Sequence, residues 1–329
     1  MSDFDDLVFA LGGIPVVREK NPHTVPLAKL DLPEDLADYL RIGRDALIQP
    51  LKNAPPENGV MALNGLALAR RLTDLMDAML IRLFTLSCQR ANVQPEAVPI
   101  AIVATGGYGR RELSPCSDID ITFIPQRDGD PLIDRLIREM FSQVMDICIA
   151  RCGLEVGYAY RLFEDCTNLD HQTATGLLDA RLLTGSNRLF IQFEDAYWMG
   201  FNPPDFIFSK IEEREKVLSK WGNSPRVVEP QLKEGPGGMR DLQTAVWLAQ
   251  ARGQWAAARV RGERGFAVLA EEGQVSAGDL KRLEAAKELL FQARGALHAV
   301  TGAERDELVI TRQEDVANRL GYQVQEIGT

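Results

Sequence analysis

No stretch of the sequence approaches the ~18 consecutive apolar residues of a membrane-spanning helix. The opening MSDFDDL sets acids where a secretory leader carries a basic region. No membrane partner is expected, and the cytoplasm is the expected compartment. Cysteine is sparse: Cys88, Cys116, Cys148, Cys152 and Cys166 make five in 329 residues. An odd number in a long chain reads as reduced thiols rather than as a disulfide framework. Histidine is scarcer still, with only His23, His171 and His298. Cys148 and Cys152 stand four apart on an expected helix, like half a zinc site. With no second Cys or His pair at ligand spacing, buried apolar thiols are the better reading. Basic residues are outnumbered, 37 Lys and Arg against 47 Asp and Glu, for a net charge of −10 and a pI near 5.0. That is the wrong sign for a protein that wraps nucleic acid, so no nucleic-acid partner is expected. Two phosphate-loop signatures are also missing. There is no G-x-x-x-x-G-K-[ST], and after Gly107 and Gly109 the third position of a dinucleotide fingerprint is Glu112.

What is present is an ordinary globular composition, 45% hydrophobic and 26% charged, in a length that suggests about two domains at roughly 150 residues each. Residues 1–55 carry many prolines (Pro15, Pro22, Pro26, Pro33, Pro50, Pro55) and one short helical run, and read as an arm or cap. From about 60 to 88 the residues Leu66, Ala69, Leu72, Leu75, Met79 and Leu83 recur every three or four positions, one side of a long helix. Next come VPIAIVAT as a buried-type strand, a Gly-rich turn, DIDITFI as a second strand, a helix at about 130–150 and GLEVGYAYRL as a third strand. After Leu177 the pattern is almost wholly helical. In the stretch from Ser276 to Val300 the residues Leu283, Ala286, Leu290, Ala293, Leu297 and Val300 are spaced as a bundle seam. The expected class is α+β: a domain over 56–185 built on a mixed sheet with flanking helices, then a helical-bundle domain over 186–329.

The chemistry concentrates in ATGGYGRRELSPCSDIDITFI, residues 104–124. Asp118 and Asp120 are two apart on an expected strand, so both carboxylates share one face while Ile119 and Ile121 point into the core. Adjacent carboxylates repel unless a cation lies between them. Mg²⁺, a hard ion usually held by one or two carboxylates plus substrate phosphates, suits such a pair. Gly106, Gly107 and Gly109 leave the backbone bare for a triphosphate at the start of a short helix. Ser114 and Ser117 add hydroxyls. A second block, LKEGPGGMRDLQTAVWLAQ at 232–250, sets Gly235, Pro236, Gly237 and Gly238 ahead of a helix start, flanked by Lys233 and Arg240. That arrangement suits an anion; a plain interdomain turn is the alternative, and Asp241 could equally cap the helix.

The first block resembles the active-site signature of the DNA polymerase β-type nucleotidyltransferase superfamily: apolar-Gly-[Gly/Ser], about ten residues, then Asp-apolar-[Asp/Glu]-apolar. Within it, GGYGRRELSPCSDIDI is most similar to the PII uridylyltransferase family, the bifunctional uridylyltransferase/uridylyl-removing enzymes of nitrogen signalling. The second block resembles that family's Lys-Glu-Gly-Pro-Gly-Gly-apolar-Arg-Asp segment. A weaker third block is ARGALHAVTGAERDELVITRQEDVANRLGY, so the resemblance runs from about 98 to 322. It implies that Asp118 and Asp120 hold Mg²⁺ and act catalytically. Nucleotide binding is implied for Gly106, Gly107, Gly109, Arg110, Ser117, Lys233, Gly235, Gly237, Gly238 and Arg240. A third carboxylate is implied on a later strand, with Asp179 in GLLDARLLTG favoured and Glu155 the runner-up. UMP would pass from UTP to a tyrosine of the PII protein, with release of pyrophosphate.

The chain departs from the family at Arg111, where relatives carry glycine, at Cys116, where they carry an aromatic residue, and at Tyr158, where they carry histidine. The family continues with a metal-dependent HD phosphohydrolase domain and two ACT domains not present in these residues, so a fragment and a stand-alone transferase are both open. Other readings are an adenylyltransferase or signal-transduction nucleotidyltransferase using another NTP, and a non-catalytic nucleotide-binding regulatory module. Intact Asp118 and Asp120 argue against the last.

Overall fold

The computed structural model of the chain describes residues 15–16, 23–24, 27–52, 65–221, 226–261 and 264–322. Much of the expected arm, with Pro22, Pro26 and Pro55, and the start of the helix expected from 60 lie outside the described residues. Within the arm, two-residue strands β1 (Pro15–Val16) and β2 (His23–Thr24) pair antiparallel. Helix α1 (Pro33–Lys52) opens with Pro33, Glu34 and Asp35. Proline there forgoes no helical hydrogen bond, and the acids face the positive end of the helix dipole. Leu36, Leu40, Leu47 and Leu51 bury the inner side of α1 against α2 (Gly65–Arg90). In α2 the sequence stripe is buried from Ala69 through Leu72, Leu75, Met79 and Leu83, with Leu66 half-buried.

Four strands form the main sheet: β3 (Ile100–Ala104), β4 (Ile119–Pro125), β5 (Val156–Tyr160) and β6 (Arg181–Gly185), in the order β5-β4-β3-β6. β3 runs antiparallel to β4 and β6, while β4 and β5 are parallel, so the sheet is mixed as expected. β6 departs from the sequence reading, which was almost wholly helical after Leu177 and named no strand there. Its five residues are all half-buried and show no alternation. They become a strand because they pair with β3 across an irregularity between Ile102 and Val103, a tertiary cause that no local pattern carries.

The two-residue period divides the sheet into two faces. Ile100, Ile102, Ile119, Ile121 and Phe123 pack with α1, α2 and α4 (Pro131–Val144). Ala101, Val103 and Ile124 pack with α5 (His171–Leu178), α6 (Asn187–Gly200), α7 (Pro203–Lys220) and α8 (Met239–Gly253), through Leu177, Phe193, Phe206 and Trp247. A π-helical turn, Met145–Arg151, extends α4 and carries the buried Cys148. All five cysteines are unpaired; of the pair four apart, Cys148 is buried and Cys152 half-buried.

The remaining helices are α9 (Ala257–Val260), α10 (Arg264–Glu271), α11 (Ala277–Thr301) and α12 (Ile310–Arg319). Ser276 caps α11 by accepting from the Asp279 amide at 3.1 Å, and Gly302 ends it at φ +65°. The expected seam is only half realised: Ala293 and Leu297 are buried, but Leu283 is half-buried and Ala286 exposed. From Phe291 onward α11 enters the space beside α1 and α2, and residues Phe291 and 293–298 are buried on every side. The helical half thus packs directly on the amino-terminal helices. No described helix is long and apolar enough to cross a membrane.

Candidate active site

The Gly-rich turn connects β3 to the four-residue helix α3 (Gly106–Gly109). Gly106 has φ +56°, a region that favours glycine, and the Thr105 amide donates to the Asp120 carbonyl at 3.1 Å. Asp118 is exposed just before β4, Asp120 is half-buried on it, and Ile119 and Ile121 point into the core. The β4–β5 register sets Asp120 opposite Gly157. A Cβ added at Gly157 would lie 2.4 Å from Asp120 Oδ1, and one at Gly106 would lie 2.9 Å from Oδ2. Two glycines therefore make room for this carboxylate. Burial and the neighbouring charge of Asp118 push the Asp120 carboxyl up to about 6, against the pull of Arg110 and Lys233.

A cleft of about 450 Å³ opens over the pair, within the range of small-ligand sites. It brings together Gly106, Gly107, Arg110, Ser117, Asp118, Asp120, Lys233 and Arg240, and Asp179 lies on its wall. Gly109 is not on its lining; a Cβ there would meet the Asp179 carbonyl at 2.2 Å, so this glycine lets α3 pack closely. Gly235, Gly237 and Gly238 are likewise off the lining. Their amides are engaged inside the loop: Gly235 donates to the Gln231 carbonyl, Gly238 to the Gly235 carbonyl, and Gly237 to Asp241 Oδ2 at 2.7 Å. The loop is not an open cradle of N–H groups; it reaches the cleft through the Lys233 and Arg240 side chains.

Asp179 has both oxygens occupied. Trp247 Nε1 donates to one at 3.0 Å, and Arg110 donates to the other. Burial raises its pKa, opposed by Arg110. Glu155, the other candidate, is exposed, and its contribution to the strand is a carbonyl that accepts from the Ile119 amide at 3.0 Å. Among the described residues no third acid joins Asp118 and Asp120. The pair alone offers the hard oxygen donors that suit Mg²⁺, an ion that readily takes the rest of its shell from water and phosphate.

Several cleft residues were not foreseen. Lys210, nearly buried, is held by Glu213 at 2.5 Å and lies 5.3 Å from the centre of the Trp247 ring. Arg110 and Arg240 lie at 5.4 and 5.3 Å from the same ring, three cations around one indole. Arg294, 3% exposed, reaches from α11 to Ser114 Oγ at 2.8 Å and Ser117 Oγ at 3.1 Å, and is held by Asp306 at 2.6 Å and Glu304 at 2.8 Å. Beside it, the fully buried His298 accepts from the Cys116 amide at 3.2 Å. In the sequence Arg294 shares one helix with surface residues, and only its place within the third similarity block marked it.

The sequence profile of the GlnD PII-uridylyltransferase family matches residues 205–327, and that of the nucleotidyltransferase family DUF294 matches residues 62–158. Curated proteins named bifunctional uridylyltransferase/uridylyl-removing enzyme are similar to the chain. The one from Burkholderia lata is 35% identical over 68% of this chain and 25% of its own length. Those from Rhodospirillum rubrum and Cereibacter sphaeroides are 31% and 32% identical over 78% of this chain and 27% of theirs. The chain thus spans about a quarter of the length of these relatives.

Proposed function

Because the chain belongs to the GlnD PII-uridylyltransferase family, we propose that it is a nucleotidyltransferase that moves UMP from UTP to a tyrosine of a PII protein, releasing pyrophosphate, with Mg²⁺ held by Asp118 and Asp120. The observation that carries this reading is the opposition of charge across one cleft: the carboxylate pair faces Lys210, Lys233 and Arg240. Bound magnesium would supply positive charge at the α-phosphate and at the leaving oxygen.

The chain's own groups account for the rest. Lys233 is steadied by Glu304 at 3.2 Å and Arg240 by Glu234 at 2.8 Å, so both cations are oriented before a phosphate tail arrives. In a cleft less polar than water, such oriented charges stabilise a departing pyrophosphate strongly. Gly107 has open space above its backbone, its nearest outside neighbour being Arg110 Nη2 at 3.8 Å from an added Cβ, which leaves room for a phosphate. Arg110, committed to Asp179 and to Glu112 at 2.7 Å, shapes the wall instead. The odd, unpaired cysteines fit action in the reducing cytoplasm.

The test is the intact mass of a PII protein after incubation with the chain, Mg²⁺ and each of the four NTPs in turn. A UMP-sized gain with UTP alone, absent with Asp118→Asn/Asp120→Asn, is the expected result. No gain with any nucleotide, despite measurable NTP binding, sinks the assignment.

A further inference from the structure

Asp120 stands in a wall between two cavities. The first is the cationic cleft. The second, about 400 Å³, lies over β5 on the other side and shares Gly106, Asp120, Gln172 and Gly176 with the first. Their linings differ in kind. The cleft carries Arg110, Lys210, Lys233, Arg240 and Arg294, whereas among the described lining residues of the second Asp120 and Arg161 alone are charged. Arg161 is turned to the Thr173 hydroxyl at 3.3 Å.

The register explains how the second cavity arises. On the face of β5 that carries the site, Gly157 lies opposite Asp120 and Ala159 opposite Thr122. Two minimal side chains on an edge strand leave a trough beside the carboxylate, and Thr173 and Leu177 of α5 form its far bank. A triphosphate would find a single cation in it, Arg161, against five in the cleft. The backbone of a polynucleotide would not find there the basic track it needs. A neutral hydroxyl on a polypeptide meets no charge penalty there.

We infer that this trough is the acceptor site: a protein segment crosses β5 and presents a side-chain hydroxyl to the α-phosphate from the side opposite the cations. This rests on the nucleotidyltransferase reading above. The acceptor oxygen bonds to the α-phosphorus as the bond to the pyrophosphate oxygen breaks. The hydroxyl proton passes to solvent through the open trough, and pyrophosphate leaves on the cationic side. Opposite entry and exit give the in-line arrangement that phosphoryl chemistry favours.

Ala159→Phe from the strand and Thr173→Trp from the helix each narrow the trough without touching the cationic cleft. The measurements are the KM for the PII protein in UMP transfer and the affinity for UTP with Mg²⁺. The expected result is a rise of ten-fold or more in the acceptor KM in both variants, with UTP affinity within two-fold of the parent. Unchanged acceptor KM in a folded variant, or weakened UTP binding in its place, overturns the inference while leaving the transferase reading intact. Labelling of added RNA rather than protein overturns the choice of a polypeptide. Failure of the parent chain to transfer to any acceptor defeats the reading of the site and this inference with it.

Discussion

Arg111 sits at φ +63°, in the left-handed region where a Cβ crowds the carbonyl. Its guanidinium is bonded to Asp74, a half-exposed pair of modest worth. Glycine, which the sequence resemblance leads one to expect at this position, would suit that backbone. Comparing Arg111→Gly with Arg111→Ala removes the ion pair in both; the glycine variant is expected to be about 1 kcal/mol more stable to urea. Asp120 gives a second prediction at this scale. Its carboxyl is raised from 3.8 to about 6, so the folded chain holds this proton more tightly than the unfolded chain. The stability it contributes is full below about pH 4 and is lost as the pH rises through 6. Without metal, Asp120→Asn should therefore melt several degrees above the parent at pH 8, a gain of about 2 kcal/mol after allowance for solvent screening. The difference should vanish by pH 4 in a thermal-melt series. Equal melting temperatures at pH 8 contradict the raised carboxyl.

At the scale of elements, single side chains fasten one helix to another. Trp247 on α8 holds Asp179, which precedes β6, and Trp247→Phe should cost about 1 to 2 kcal/mol in chemical denaturation. Arg294 fastens α11 to the turn that carries Asp118. Arg294→Met strands Asp306 and should cost about 3 kcal/mol. Arg294→Lys keeps the charge but loses the fork to Ser114 and Ser117. It should retain most of the stability, with transfer and Mn²⁺ affinity down ten-fold or more. The helices α1, α2, α4, α7, α8 and α11 were legible because their periodicity is sustained over several turns. The pairs Gly106–Gly107 and Asp118–Asp120 were legible because two strands bracket them. β6 was not, since its cause is the β3 edge. The second block was left open between two readings for a related reason: Gly-Pro-Gly-Gly looks the same whether its amides face an anion or, as here, Gln231 and Asp241. Trp247 and Lys210 escaped notice because their role depends on which helix faces the cleft.

At the scale of the molecule, the sheet lies between helices drawn from both ends of the described chain. Glu288 of α11 accepts from the Gly65 amide at the start of α2 at 2.6 Å, and a Cβ at Gly295 would touch Leu51 and Leu68. Heat should therefore unfold the chain in a single calorimetric transition. A chain ending at residue 275 should show no such transition, because α1 and α2 lose the helix that covers them. Two well-separated peaks in the full chain contradict this packing. The division at about 186 taken from the sequence follows the change in pattern from mixed to helical, which a linear reading can see. Contacts between residues hundreds of positions apart leave no such mark.

Arg294 and Ser117 are 177 residues apart. At a synthesis rate of about 5 to 20 residues per second, the turn bearing Asp118 emerges from the ribosome some 10 to 35 seconds before its anchor has been made. During that interval the nascent chain carries its acidic pair on an unfastened turn, and Lys233 and Arg240 are made within it, ahead of Arg294. The two cations that face the acidic pair are thus made before the side chain that fastens the turn carrying Asp118.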